Sequence, residues 1–268
     1  MADIGIGIVG CAGRMGKRLV TLASETEGCH LSGGTVRPGS EASGRDIGEL
    51  AGVGHLGISA GDSAEELFRS SDAVIDFTTP DAASENARLA AEHTTALVVG
   101  TTGLAEKQKA DLEEAGRKIP VVHAPNMSLG VNLLSLMVER VAAALDEDFD
   151  IEVLEMHHRH KVDAPSGTAL ALGEAAARGR GIDLEPHAQR VRDGHTGPRK
   201  RGDIGFATLR GGDVVGEHSV IFATTGERLE FAHKSGDRDI FARGALKAAL
   251  WTKGKAAGFY SMRDVLGL

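Results

Sequence analysis

Apolar positions in the first half of the chain fall in short runs separated by longer amphipathic stretches. Residues 4–9 form a β-branched run punctuated by glycine and lead through further glycines into a helical pattern over 14–24 that stops at Gly28. Further strands are expected over 29–36, 73–77, 96–99 and 121–123. Pro80 and Asp81 mark a helix start reaching about residue 93, and a charged helix is expected over 105–115. Residues 38–62 are glycine-rich and read as loop with a short helix. Repeated strand, loop and helix units of this length imply parallel pairing, with helices on both sheet faces.

The second half has another rhythm. A helix over 131–145 precedes a strand over 151–156, a helix over 168–178 and a Gly-, Arg- and His-rich stretch over 179–202. Three strand-like runs follow, 205–209, 214–223 and 228–232, with little helix between them. They imply a mixed or antiparallel sheet, hence a second domain. A last helix over 239–253 and the tail are expected to pack on the first domain.

Composition narrows the class. A chain of 268 residues suits roughly two domains. Its 41% hydrophobic and 25% charged residues are ordinary globular values, which excludes a disordered chain or a coiled coil. With 30 basic and 38 acidic side chains the net charge is −8, against a general nucleic-acid binder. Two cysteines, Cys11 and Cys29, are too few for a disulfide framework or a Cys-rich zinc site. No basic residue precedes Arg14, so a signal-peptide n-region is not expected. The stretch 119–138 lacks Asp, Glu, Lys and Arg, but Pro120, His123, Pro125, Asn126 and Asn132 break it into strand, turn and helix start. A soluble, cytoplasmic protein without membrane contact is expected.

Two segments carry chemistry. Gly10-Cys11-Ala12-Gly13-Arg14-Met15-Gly16 ends the first strand and opens a helix. Glycines there allow a pyrophosphate to approach backbone amides, and the helix N-terminus supplies partial positive charge. Gly16-Lys17 is followed by Arg18, which sets a P-loop aside. About 20 residues on, where an acidic side chain would accept from a ribose hydroxyl, stand Val36 and Arg37. Arg37 either pairs with a 2′-phosphate, which implies NADPH without excluding NADH, or faces solvent. Gly100-Thr101-Thr102 and Ala124-Pro125-Asn126-Met127 end strands of the same domain and either line the nicotinamide end or are plain turns.

The other segment is Glu155-Met156-His157-His158-Arg159-His160-Lys161, followed by Val162-Asp163-Ala164-Pro165-Ser166-Gly167-Thr168. Residues 156–201 hold nine Lys or Arg against five Asp or Glu, a local surplus of +4 in an acidic protein. That pattern points to a small anionic substrate. The start of a helix at Ser166, Gly167 and Thr168 offers amides and hydroxyls to a carboxylate. Two readings stand for the histidines. A metal site would use His157 and His160 with Glu155 or Asp163, although no paired-ligand spacing is present. An acid–base site would use one histidine with Lys161 as cation and proton donor.

The run from Glu155 to Thr168 resembles the signature of the 4-hydroxy-tetrahydrodipicolinate reductase (dihydrodipicolinate reductase) family. The glycine loop, Gly100-Thr101-Thr102-Gly103, the Asn126 segment, Gly205-Phe206-Ala207 and Gly216-Glu217-His218 resemble the same family in the same order. The resemblance implies reduction of a hydroxy-tetrahydrodipicolinate ring by NADPH or NADH, with loss of water, on the diaminopimelate route to lysine. It implies His157 as acid–base residue, Lys161 as proton donor, and His158, Lys161, Gly167 and Thr168 on two substrate carboxylates. Gly10 to Met15, Gly100 to Thr102 and Ala124 to Met127 would contact the dinucleotide. The family often carries an acidic residue before the arginine matching Arg37. Here it is Val36, which weighs against a preference for NADH.

The expected architecture is therefore α/β. A Rossmann-like dinucleotide-binding domain spans 1–128 plus 238–268, and a smaller α+β domain on a mixed sheet spans 129–237 for substrate and oligomer contacts. A homotetramer, a small dicarboxylate substrate and no metal are expected. Two competing classes remain: another nicotinamide-dependent dehydrogenase of an amino-acid pathway, and a nucleotide-sensing protein without turnover.

Overall fold

The computed structural model describes residues 3–268. The chain divides into two compact units. One runs to Leu129 and resumes at Asp239–Leu268, and the other is Gly130–Arg238.

In chain order the first unit begins with β1 (Ile4–Val9), α1 (Arg14–Glu25), β2 (Cys29–Thr35), α2 (Ile47–Ala51) and α3 (Ala64–Ser70). It continues with β3 (Ala73–Asp76), α4 (Pro80–His93), β4 (Ala96–Val99), α5 (Glu106–Gly116) and β5 (Pro120–His123). The second unit holds α6 (Leu129–Ala144), β6 (Asp150–His157), α7 (Gly167–Arg180), β7 (Ala188–Gln189), β8 (Ile204–Arg210), β9 (Gly216–Thr224) and β10 (Glu227–Ser235). The chain ends with α8 (Asp239–Trp251), β11 (Gly258–Tyr260) and α9 (Met262–Leu266).

The first unit is a parallel six-stranded sheet in the order β11-β5-β4-β3-β1-β2. Its inner strands β1, β3, β4 and β5 read as near-continuous apolar runs because both faces are covered. Ile8, Ile75, Val98 and Val122 pack with α1 and α8 residues such as Leu19 and Leu246. Val74, Leu97 and Val121 pack on the other side with Phe68 and Leu112. The chain leaves β1 toward β2 on one side and returns through β3 on the other. That reversal opens a crevice beyond the carboxyl ends of the strands, the place where open α/β sheets take their ligands.

The second unit is a mixed sheet in the order β10-β9-β6-β8-β7, with β6 parallel to β8 and antiparallel to β9. One face is covered by α6 and α7, where Val138, Leu172 and Ala176 meet Ile151, Val153, Phe206, Val220 and Phe222. The alternate positions Leu154, Met156, Leu209 and Ile221 lie on the other face together with Glu152, Glu217 and Ser219, and Leu209 is 47% exposed. The fold class is thus α/β with a Rossmann-like first unit and a second mixed sheet.

The arginine-rich stretch 179–202 corrects one expectation. Arg190 pairs with Glu185, Arg192 with Glu152, and Arg199 with Asp150 and Glu152. Arg201 pairs with Asp148, and just before the stretch Arg178 pairs with Glu139. Most of the local positive charge therefore fastens the segment to carboxylates of its own unit and is not offered to a ligand. Among the described residues no helix is long and apolar enough to cross a membrane.

Candidate active site

The alternation of β6 builds the site. Ile151 and Val153 fill the core, and the next two positions on the same face are Glu155 and His157, 1% and 8% exposed. Register sets Arg210 of β8 beside His157 and His218 of β9 beside Glu155. His157 Nδ1 lies 2.6 Å from Glu155 Oε2. Arg210 donates to both Glu155 oxygens, at 2.8 and 3.0 Å, and the Ser166 amide donates to Oε1 at 3.0 Å. Burial pushes the Glu155 carboxyl up, but these donors outweigh it and hold it below the usual carboxylate range. The His218 ring meets His157 edge-on, with centroids 5.1 Å apart. Burial, reinforced by the neighbouring His157, pushes His218 down to about 4, so it is neutral near pH 7.

Beyond β6 the chain turns through residues 158–165. Lys161 Nζ lies 2.8 Å from the exposed carboxylate of Asp163. His158 is half-buried, and its Nδ1 has no hydrogen-bond partner among the described residues. Burial lowers its proton affinity first, followed by Arg238, His157, His160 and Lys161. Arg238, which the sequence reading did not single out, therefore belongs to this cationic cluster.

At the start of α7 the expected anion-holding trio divides. Ser166 is 2% exposed, caps the Ala169 amide at 3.1 Å and shares a hydrogen bond with His218 Nε2 at 3.0 Å. Its polar groups are consumed internally, which removes it from the residues open to a ligand. Gly167 is exposed, and its N–H has no acceptor among the described residues. Among the described residues no group of three or more His, Cys, Asp or Glu is arranged to hold a metal.

In the first unit, five segments gather beyond the carboxyl ends of the parallel strands. Gly10 adopts φ +74°, which favours glycine. A Cβ on Gly16 would stand 2.1 Å from the Gly10 carbonyl oxygen, so α1 can close on the loop only with glycine there. Gly13 is the N-cap and has no side chain to spend on the first-turn amides. This is a cradle fitted to a pyrophosphate. Arg37 is exposed and has no ion-pair partner among the described residues.

Several expected contacts are available through backbone only. Cys11 is 1% exposed in the core, and burial pushes its thiol up to about 11. Ala124 and Met127 are also buried, while Arg14, Thr102 and Pro125 are exposed. Thr101 is 4% exposed, and its hydroxyl lies 3.2 Å from the wholly buried Asp76 while accepting from Thr78 N at 2.9 Å. Asp76 also accepts from Thr78 N and Oγ1 at 2.7 and 2.6 Å and from Asn86 Nδ2 at 2.8 Å. This network, missed from sequence, ties the loop after β3 to the loop after β4.

Comparison with known proteins gives the family. The family described as Dihydrodipicolinate reductase, N-terminus, matches residues 4–127, and Dihydrodipicolinate reductase, C-terminus, matches 130–266. A 4-hydroxy-tetrahydrodipicolinate reductase of Rhizobium rhizogenes is 57% identical over 97% of this chain and 96% of its own. One of Chelativorans sp. is 56% identical over 100% of this chain and 97% of its own. Among solved structures, a dipicolinate-bound dihydrodipicolinate reductase from Paenisporosarcina sp. TG-14 shares the fold, with a TM-score of 0.77 at 22% identity over 97% of each chain. The fold and these relatives define an NAD(P)H-dependent oxidoreductase. More narrowly, the chain belongs to the dihydrodipicolinate reductase family.

Proposed function

We propose that this chain reduces 4-hydroxy-tetrahydrodipicolinate to tetrahydrodipicolinate with NADPH or NADH, on the diaminopimelate route to lysine. The observation that carries the residue assignment is the buried Glu155–His157 pair, followed within the same segment by Lys161 on the exposed Asp163 carboxylate and by the exposed Gly167 at the start of α7. The dinucleotide, when bound with its pyrophosphate at the glycine loop, would supply the hydride. The loop's amides hold the pyrophosphate, and Arg37 meets a 2′-phosphate when one is present.

Lys161 and His158 hold the substrate carboxylates together with Gly167 and Thr168 at the start of α7. The dipicolinate of the solved relative is a small ring dicarboxylate of the kind these groups suit. On substrate entry a carboxylate takes the place of Asp163 on the Lys161 ammonium. Loss of the 4-hydroxyl with a ring proton as water leaves the unsaturated ring that takes the hydride, and Lys161 Nζ delivers the proton that the reduced ring requires, with His157 as the acid–base group. The apolar patch of Leu154, Met156, Leu209 and Ile221 on the open face of the second sheet supports assembly into a homotetramer.

The test is oxidation of NADPH by the parent, His157→Gln and Lys161→Ala in the presence of freshly made substrate. Each variant is expected to lose about 10²–10⁴-fold in kcat while keeping NADPH affinity. Parental turnover in both would refute the assigned roles.

A further inference from the structure

We propose that Glu155 and Arg210 are a positioning pair that holds His157 in one tautomer and anchors the loop carrying Lys161. The inference rests on the acid–base reading of those two residues. Glu155 Oε1 accepts from Ser166 N and Arg210 Nη2, and Oε2 accepts from Arg210 Nη1 with His157 Nδ1 at 2.6 Å. A carboxylate has about four acceptor sites, and all are filled here. Glu155 therefore has nothing left for a substrate and acts through its neighbours.

An ionised carboxylate only accepts, so His157 Nδ1 must carry the proton of this hydrogen bond. In the neutral imidazole the lone pair is then on Nε2. That atom faces Gly216, where a Cβ would stand 3.0 Å away, so a glycine keeps the reactive nitrogen clear. Arg210 also donates to the main-chain carbonyl of Asp163, whose carboxylate meets Lys161. One planar guanidinium thus ties the histidine's carboxylate to the lysine's loop. A lysine at 210 keeps the charge but cannot span both partners.

The pair is tested on the full-length protein labelled with ¹⁵N-histidine. Two-bond ¹H–¹⁵N spectra at about pH 8 read each neutral tautomer, and His157→Gln assigns the His157 signals. The parent should show His157 with Nδ1 protonated and Nε2 bare. Glu155→Gln and Arg210→Lys should each show mixed tautomers and a kcat loss on the order of 100-fold, with the KM for NADPH kept within about twofold. A parent histidine protonated on Nε2 overturns the proposal without any variant. So does an unchanged tautomer with near-parental kcat in whichever of the two variants folds. If His157→Gln itself turns over normally, the acid–base reading fails instead, and the spectra still decide the tautomer lock.

Discussion

Among single side chains, His218 shows how burial sets the pH response of the second unit. Its folded value of about 4 lies below the ordinary 6.5, so below neutrality the unfolded chain binds a proton that the folded chain refuses. Stability is therefore full above pH 6.5 and declines as pH falls toward 4. The loss attributable to His218 between about pH 7 and pH 5 is roughly 2 kcal/mol. Urea unfolding at the two pH values should show a smaller difference in His218→Gln than in the parent. A second prediction concerns Arg37. Arg37→Ala should weaken NADPH binding about tenfold and leave NADH nearly unchanged, as titration calorimetry with each cofactor would show. Equal losses for both would place the guanidinium away from the 2′-phosphate.

Whole elements depend on hubs that hydrophobic patterning does not display. Asp46 caps α2 and accepts from the amides of Gly48, Glu49, Leu56 and Ile58. Desolvation pushes its carboxyl up, but the four amides prevail and bring it down to about 2. Ionised Asp46 thus stabilises the loop above the ordinary value of 3.8, and that contribution is lost as pH falls through about 2. Asp46→Asn should speed hydrogen exchange at Leu56 and Ile58 by at least about tenfold while amides of β1 keep their protection. Unchanged exchange at those two amides would contradict the hub.

The longer elements were legible because their patterns are local. β1 and β4 fall on the expected residues, and the helix beginning at Pro80 ends at His93. α3 was not expected, since only Leu67 and Phe68 of its seven residues are buried and too little periodicity results. β11 is three residues long and is a strand only by virtue of pairing with β5. In the site, the run from Glu155 to Thr168 was readable as a contiguous segment. Arg210, His218 and Arg238 reach it from distant positions, two of them through strand register, which no single segment encodes. The surplus of arginine near 190–201 misled for the complementary reason: its carboxylate partners on β6 lie far back in the chain.

At the scale of the whole molecule, net charge of −8 and an apolar patch on the open sheet face pull in different directions. Charge favours separation in solution, whereas Leu154, Met156, Leu209 and Ile221 favour burial against another copy. Sedimentation should give a tetramer for the parent and a smaller species for Leu209→Glu, which puts a charge in that face. A monomeric parent would contradict the assembly.

The central claim is hydride transfer to the substrate ring, and isotope transfer tests it most directly. The enzyme is incubated with fresh 4-hydroxy-tetrahydrodipicolinate and NADPH deuterated at both C4 positions, and the product is weighed by mass spectrometry. Tetrahydrodipicolinate carrying one deuterium, formed by the parent and all but lost in Lys161→Ala, is the expected result. NADPH left unconsumed by the parent, or a product without deuterium, would contradict the account.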